Sequence, residues 1–238
     1  MVISVMPTKT SQLDKDERIM VKRYAVIGLG NFGSSVAESL ASHGSEVIAI
    51  DTDGDTVDRI ASHVTKAAMG SGTDVETLRR IGVKGVDAAV ISTGDDITAS
   101  ILTTMALRDL GVKDVYVKVN SRDHARVMER IGVTETIFPE RESAISLGVR
   151  MRGKAVLNHF RLGEGFSIQE MAVPDVWQGF SLRTLKLRQK YDVTVVAVHD
   201  VLQDRISATP DPDETLKESD TLLVAGADTS LARIAKLT

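Results

Sequence analysis

A short apolar run, Tyr24–Ile27, passes without a break into Gly28-Leu29-Gly30-Asn31-Phe32-Gly33, where a helical pattern begins. The order strand, G-x-G-x-x-G turn, helix is what gives such a turn its meaning. The first glycine permits the tight turn, the second admits a pyrophosphate close to the backbone, and the third lets the helix pack against the strand. Amides opening the helix then face the phosphates, and the helix dipole favours negative charge there. The helix reads Phe32–Ser42, with Phe32, Val36 and Leu40 at a spacing of four and a stop at His43-Gly44. The next apolar run, Val47–Ile50, ends in Asp51, 23 residues beyond Gly28. An acid about 20 residues after the first glycine suits a ribose hydroxyl pair and repels a 2′-phosphate. The expected ligand is therefore an adenine nucleotide, ATP/ADP or NAD/NADH, ahead of NADP. The alternative is a tight βα turn with Asp51 serving only as a turn or N-cap residue.

The alternation continues. Apolar runs at Lys66–Met69, Ala88–Ser92, Val115–Val119 and Thr136–Phe138 are separated by amphipathic segments. Asp74 is a good N-cap for a helix through Val75, Leu78 and Ile81 to Gly82. Asp95/Asp96 start the longest pattern, through Ile97, Ile101, Leu102, Met105 and Leu110 to Gly111. Ser121 caps another, closed by Gly132. Six strands alternating with five helices read as an α/β, Rossmann-like, doubly wound parallel sheet over residues 21–139. Gly70–Asp74 and Ser92–Asp95 follow the third and fourth strands, at the carboxyl ends where open α/β sheets bind ligands. Asp74 fits either an adenine or ribose contact or a helix N-cap, and Asp95 is ambiguous in the same way. The apolar stripes Ile97, Ile101, Leu102, Met105 and Ile145, Val149 are compatible with core positions. After Pro139 the texture changes. Residues 140–154 read as a connector helix, and 155–238 as a small α+β domain with strands Ser167–Val173, Thr194–His199 and Thr221–Ala225, turns at Gly163–Gly165 and a loop at Thr209–Asp213. Trp177 and Phe180 are expected to anchor its core. Residues 1–20 read as a flexible polar tail.

Composition excludes several function classes. A net charge of −4 over 238 residues gives no electrostatic case for nucleic acid or an anionic membrane surface. The absence of cysteine removes disulfides, thiolate metal sites and thiol nucleophiles together. No apolar stretch approaches the ~20 residues that span a bilayer, and Met1–Val5 is too short for the core of a signal peptide; a cytoplasmic protein without direct membrane insertion is expected. The histidines (His43, His63, His124, His159, His199) are scattered without acid–base or metal spacing. No G-x-S-x-G and no Walker lysine is present. The reading is a nucleotide-binding protein without a catalytic centre.

Tyr24–Gly33, the Val47–Asp53 strand end, Gly70–Asp74, Thr98–Leu110, Val117–Asn120 and Ile137–Glu140 together resemble an RCK domain, a regulator of potassium conductance. Thr184–Ala197 and Thr209–Gly226 are similar to the C-terminal RCK domain, and the two-domain order resembles the TrkA/KtrA-type gating subunits of bacterial potassium uptake systems. The resemblance implies a homo-oligomer, from dimer to octameric ring, docked on a membrane potassium channel or transporter subunit and reshaped by nucleotide exchange. It implies Gly28, Gly30, Asn31, Phe32 and Gly33 at the phosphates and Asp51 at the ribose. Thr52, Asp53, Gly70, Ser71, Asp74, Thr93 and Gly94 would line the adenosine side. Glu140 occupies a Pro-Glu position that in some relatives helps bind a divalent cation at the dimer interface; a first-turn acid favoured by the helix dipole explains it equally. Where ATP-responsive relatives carry an arginine, this chain has Asn31. In some relatives the small domain binds cyclic di-AMP. Two other functions compete: an NAD-dependent oxidoreductase, disfavoured by the missing proton donor and the small second domain, and a regulator of another cation transporter.

Overall fold

The computed structural model describes residues 21–152 and 155–237. The tail expected over 1–20, the last two residues of the expected connector, and Thr238 lie outside them. The chain divides after Phe138 into two compact units, each with its own sheet and core.

The first unit runs β1 (Arg23–Ile27), α1 (Asn31–Ser42), β2 (Glu46–Asp51), α2 (Gly54–Ile60), β3 (Lys66–Met69), α3 (Val75–Ile81), β4 (Ala88–Ile91), α4 (Ile97–Asp109), β5 (Asp114–Lys118), α5 (Arg122–Ile131), β6 (Glu135–Ile137). Its strands are all parallel, in the order β3-β2-β1-β4-β5-β6. Because helices cover both faces, the strands are apolar on both sides. Ala25 and Ile27 of β1 face the core under α3, α4 and α5, whereas Val26 faces the one under α1 and α2. The order in which strands are added across the sheet reverses between β1 and β4 while all stay parallel, so the loops after β1, β2, β3 and β4 open side by side at one edge. Side-chain caps fix the starts of the helices. Asp53 caps α2, Asp74 caps α3, Asp96 caps α4 and Ser121 caps α5. Left-handed Gly82 and Gly132 end α3 and α5.

Helix α4 corrects the sequence reading. Its inward face is Ser100, Thr103, Thr104 and Leu107, while Leu102 and Met105 are 45% and 53% exposed and Ile97 lies at the surface. Only Ile101 of the expected stripe packs against the core. Ser100 on α4 meets His124 of α5, which is buried with Nε2 3.2 Å from Ser100 Oγ. Burial pushes the His124 imidazole toward its neutral form.

The second unit opens with α6 (Pro139–Arg152), whose proline takes the first helical position, where its missing N–H costs nothing. At 14 residues it is longer than the 13-residue α4. Then follow β7 (Val156–Gly163), β8 (Phe166–Ala172), α7 (Leu182–Leu185), α8 (Leu187–Tyr191), β9 (Val193–Asp200), β10 (Arg205–Ser207), β11 (Asp220–Ala227) and α9 (Asp228–Ile234). The sheet is antiparallel, in the order β10-β9-β11-β8-β7. Two of its strands, β7 and β10, were not legible as strands. Both are edges and largely exposed, so neither shows the clean alternation of a half-buried strand. Trp177 is buried, with its ring 5.7 Å from that of Tyr191. Phe180, expected beside it in the core, is 50% exposed: it follows the turn at Gly179, outside the packed layer. No helix among the described residues is long and apolar enough to cross a membrane.

Candidate functional site

The turn between β1 and α1 is set by steric necessity at two of its glycines. Gly28 has φ +90°, and a Cβ there would lie 2.1 Å from the Ser92 carbonyl oxygen at the end of β4. Gly33 sits so close beneath the turn that its Cβ would come within 1.9 Å of the Gly28 carbonyl oxygen. Gly30 is different: a Cβ there would meet nothing within 4 Å. Nothing inside the chain demands a glycine at that point, which fits a ligand approaching the backbone from outside.

Helix α1 starts at Gly30 without a side-chain cap and without an acid in its first turn, whereas α2 to α5 all have caps. Its leading amides belong to Asn31, Phe32 and Gly33. The Asn31 side chain is exposed, and the Phe32 ring packs against the core face of the helix, so Phe32 has only its amide to offer. The unmatched amides and the dipole make this helix start a place for an anion.

Asp51, at the end of β2, does more than the sequence suggests. Its Oδ2 accepts from the Leu29 amide at 2.6 Å, and Oδ1 accepts from the Asp53 amide at 2.9 Å. The carboxylate thus ties the glycine turn to the loop entering α2. Each oxygen keeps lone-pair capacity for a ribose hydroxyl. The Ser34 hydroxyl holds the other side of the turn by donating to the Leu29 carbonyl at 2.7 Å.

The remaining residues divide by occupation. Asp53 accepts from the Asp55 and Thr56 amides and Asp74 from the Glu76 and Thr77 amides, so both carboxylates are engaged as helix caps. The Thr77 hydroxyl, 2.6 Å from Asp74 Oδ2, leads the hydrogen bonds that hold the Asp74 carboxyl below the usual range. Asp95 accepts from the Asn120 amide at 3.2 Å, leaving the cap of α4 to Asp96. Thr52 is exposed beside Asp51; Gly70, Ser71, Thr93 and Gly94 lie on the same sheet edge, following β3 and β4. Glu140 belongs to the second unit, in the first turn of α6. Among the described residues, no group of three or more His, Asp or Glu could hold a metal ion.

One further residue belongs to this edge. Met69 pairs in register with Asp51, is 68% exposed, and its sulfur lies 3.7 Å from the place of a Cβ on Gly54. The signal was a large apolar residue at the ligand end of a strand, which periodicity alone counts as core.

Residues 24–139 match the TrkA-N domain, and residues 170–238 match the TrkA-C domain. The Ktr system potassium uptake protein C of Bacillus subtilis (strain 168) is 34% identical, over 91% of this chain and 97% of its own. The Ktr system potassium uptake protein A of Vibrio alginolyticus is 36% identical, over 89% and 95%. Among solved structures the GsuK channel superposes with a TM-score of 0.66 at 18% identity, over 94% of this chain and 40% of that one. At such identity the likeness is one of fold. The chain belongs to the TrkA-N/TrkA-C family that includes the Ktr potassium uptake proteins.

Proposed function

From membership of that family, we propose that this chain is a nucleotide-sensing regulatory subunit that gates a membrane potassium channel or transporter from the cytoplasmic side, and that it has no catalytic activity of its own. The observation that carries the reading is the uncapped start of α1 above the Gly28–Gly33 turn, with Asp51 fastened beside it. Phosphates would take the amides of Asn31, Phe32 and Gly33, and the ribose would take Asp51. The purine would lie toward the loops after β3 and β4, with the exposed Met69 side chain as an apolar wall. A ligand gates only through its differential affinity for two states of the assembly, so the nucleotide acts by favouring one ring shape over another. Calorimetry with ATP, ADP, NAD and NADH is expected to give micromolar binding for at least one of them, with no turnover of any. Failure of all four to bind removes the sensing role, and steady consumption of NADH with a carbonyl substrate revives the oxidoreductase.

Asn31 bears on which nucleotide is read. It lies in the first turn of α1 and can donate a hydrogen bond, but it brings no charge to a terminal phosphate. The wild type is therefore expected to separate ATP from ADP weakly, or to respond to NADH and NAD. Asn31→Arg should strengthen ATP binding and leave ADP and NAD nearly unchanged. A wild-type preference of about a hundredfold for ATP over ADP, worth ~2.7 kcal/mol, would sink this reading.

Assembly follows from the exposed apolar surface. Leu102 and Met105 on α4, and Ile145 and Leu147 on α6, are large hydrophobic side chains left in solvent. Two such faces on one chain suit a symmetric homo-oligomer. Light scattering is expected to give a species larger than a dimer with nucleotide present, up to an octamer; a monomer at all concentrations sinks the ring. A divalent cation at Glu140 belongs to the same proposal, since a dimer contact would have to complete its ligand set.

A further inference from the structure

The loops after β4 and β5 open at the same sheet edge as the glycine turn, and two contacts tie these neighbours together. In the exposed one, the Asn120 side-chain amide donates to Asp95 Oδ1 at 3.2 Å. In the buried one, His124 Nε2 lies 3.2 Å from Ser100 Oγ. Both residues of the buried contact sit in the capped first turns of their helices. The His124 amide donates to Oγ of Ser121, the α5 cap, at 3.1 Å. The Ser100 amide donates to the carbonyl of Asp96, the α4 cap, at 3.0 Å. Moving the imidazole therefore disturbs both helix starts and the loops that lead into them.

His124 is 1% exposed and Ser100 is fully buried. Among the described residues the ring's Nδ1 has no hydrogen-bond partner, and it is closed off from solvent. A neutral imidazole suits such a place as the Nε2–H tautomer, donating to Ser100 and leaving a bare lone pair at Nδ1. The imidazolium does not, because its Nδ1–H would be a buried donor on a buried charge with nothing to accept it. The elements around the ring offer no compensating charge. The inward face of α4 carries Ser100, Thr103, Thr104 and Leu107. Asp95 is engaged by Asn120 and Asp96 by the Ala99 amide, while Asp123 and Arg126 pair with each other on the exposed side of α5. Lys118 ends β5 and Glu135 opens β6. None of these charges adds to burial, which alone holds the imidazole toward its neutral form.

We propose that His124 is an acid-sensitive latch between the starts of α4 and α5, which protonation opens and a bound nucleotide holds shut. Opening gives the imidazole water and lets it take up a proton that the closed site refuses. Because the closed site depresses the pKa, the latch is firm above the ordinary histidine value of about 6.5 and loosens as pH falls below it. One pH unit below that value, the opening equilibrium rises by at most about tenfold. The nucleotide's part rests on the binding proposed at the glycine turn, whose edge these two loops continue. Proton and nucleotide then act in opposite directions on one equilibrium.

The test follows amide hydrogen exchange in the full 238-residue chain at about pH 7.5 and about pH 5.5, corrected for the intrinsic effect of pH. Acid is expected to raise the opening of residues 95–101 and 119–126 several-fold, up to about tenfold. His124→Gln keeps an N–H for Ser100 and takes up no proton, so its opening there should not change over this range. Where the variant does not fold, the assigned His124 ring resonance of the wild type decides, since it must stay neutral below a pH of about 6.5. An equal acid response in wild type and His124→Gln overturns the latch, and so does a His124 that titrates at or above the ordinary value. Saturating NAD and, separately, ADP are expected to slow exchange of the same amides at the lower pH. A nucleotide that binds by calorimetry yet leaves these amides unchanged overturns its hold on the latch. If neither binds, the nucleotide reading fails, and the acid response still decides the latch.

Discussion

Gly33→Ala is expected to destabilise the first unit by about 2–5 kcal/mol, a large part of the stability of such a domain. The added methyl would lie 1.9 Å from the Gly28 carbonyl oxygen and 3.0 Å from its carbon. Both are backbone atoms, so no rotamer change relieves the contact, and α1 must lift off the turn. Gly28→Ala should cost as much by a different route: the methyl meets the Ser92 carbonyl at 2.1 Å, and φ of +90° is strained for any L side chain. Gly30→Ala is the control, because nothing lies within 4 Å. Its stability should stay within about 0.5 kcal/mol of wild type, while nucleotide affinity falls about tenfold as the methyl meets the phosphates. Urea unfolding and calorimetry on the three variants separate these effects. Stable Gly33→Ala protein would refute the packing of α1 on the turn. Undiminished binding by Gly30→Ala would refute the approach of phosphate to that backbone.

These contrasts also explain what could be read from the sequence. A glycine turn between strand and helix is legible because its residues answer local demands on the backbone, and the caps Asp74 and Ser121 answer local demands too. The parallel sheet was legible because covering both faces makes each of its strands an apolar run. What escaped depends on neighbours far along the chain. The stripe Ile97, Leu102, Met105 has helical spacing, but α4 turns Ser100, Thr103 and Thr104 inward, Ser100 against His124 of α5 and Thr103 beside Gly72. Edge strands β7 and β10 carry no alternation to see. The polar residues Ser167 and Gln169 sit at inward positions of a strand that was itself recognised, yet their burial follows from the helices and strands packed over them. The link from Asp51 to the Leu29 amide spans 22 residues and exists only once β1 and β2 pair.

That link decides what Asp51→Ala will do. As a ribose ligand alone, Asp51 could be removed at the exposed strand end with the fold intact. Its Oδ2 holds the Leu29 amide and its Oδ1 the Asp53 amide, and the Leu29 side chain is itself buried. Hydrogen bonds to a charged acceptor are worth about 1.5–3 kcal/mol each, and amides left without an acceptor add a desolvation cost. Water can take over at the exposed Asp53 amide but not fully at the part-buried Leu29 amide, so Asp51→Ala should lower stability by about 1–3 kcal/mol; with the turn loosened and the ribose contact gone, it should also weaken NAD and ADP by ~1–3 kcal/mol. Asp51→Asn separates the two roles. Its carbonyl oxygen can still accept from one of the amides, so stability should fall less than in Asp51→Ala. Its lost charge removes the repulsion of a 2′-phosphate, so the preference for NAD over NADP should narrow by about tenfold. If both variants lose stability yet bind NAD, ADP and NADP as the wild type does, Asp51 braces the turn and holds no ribose.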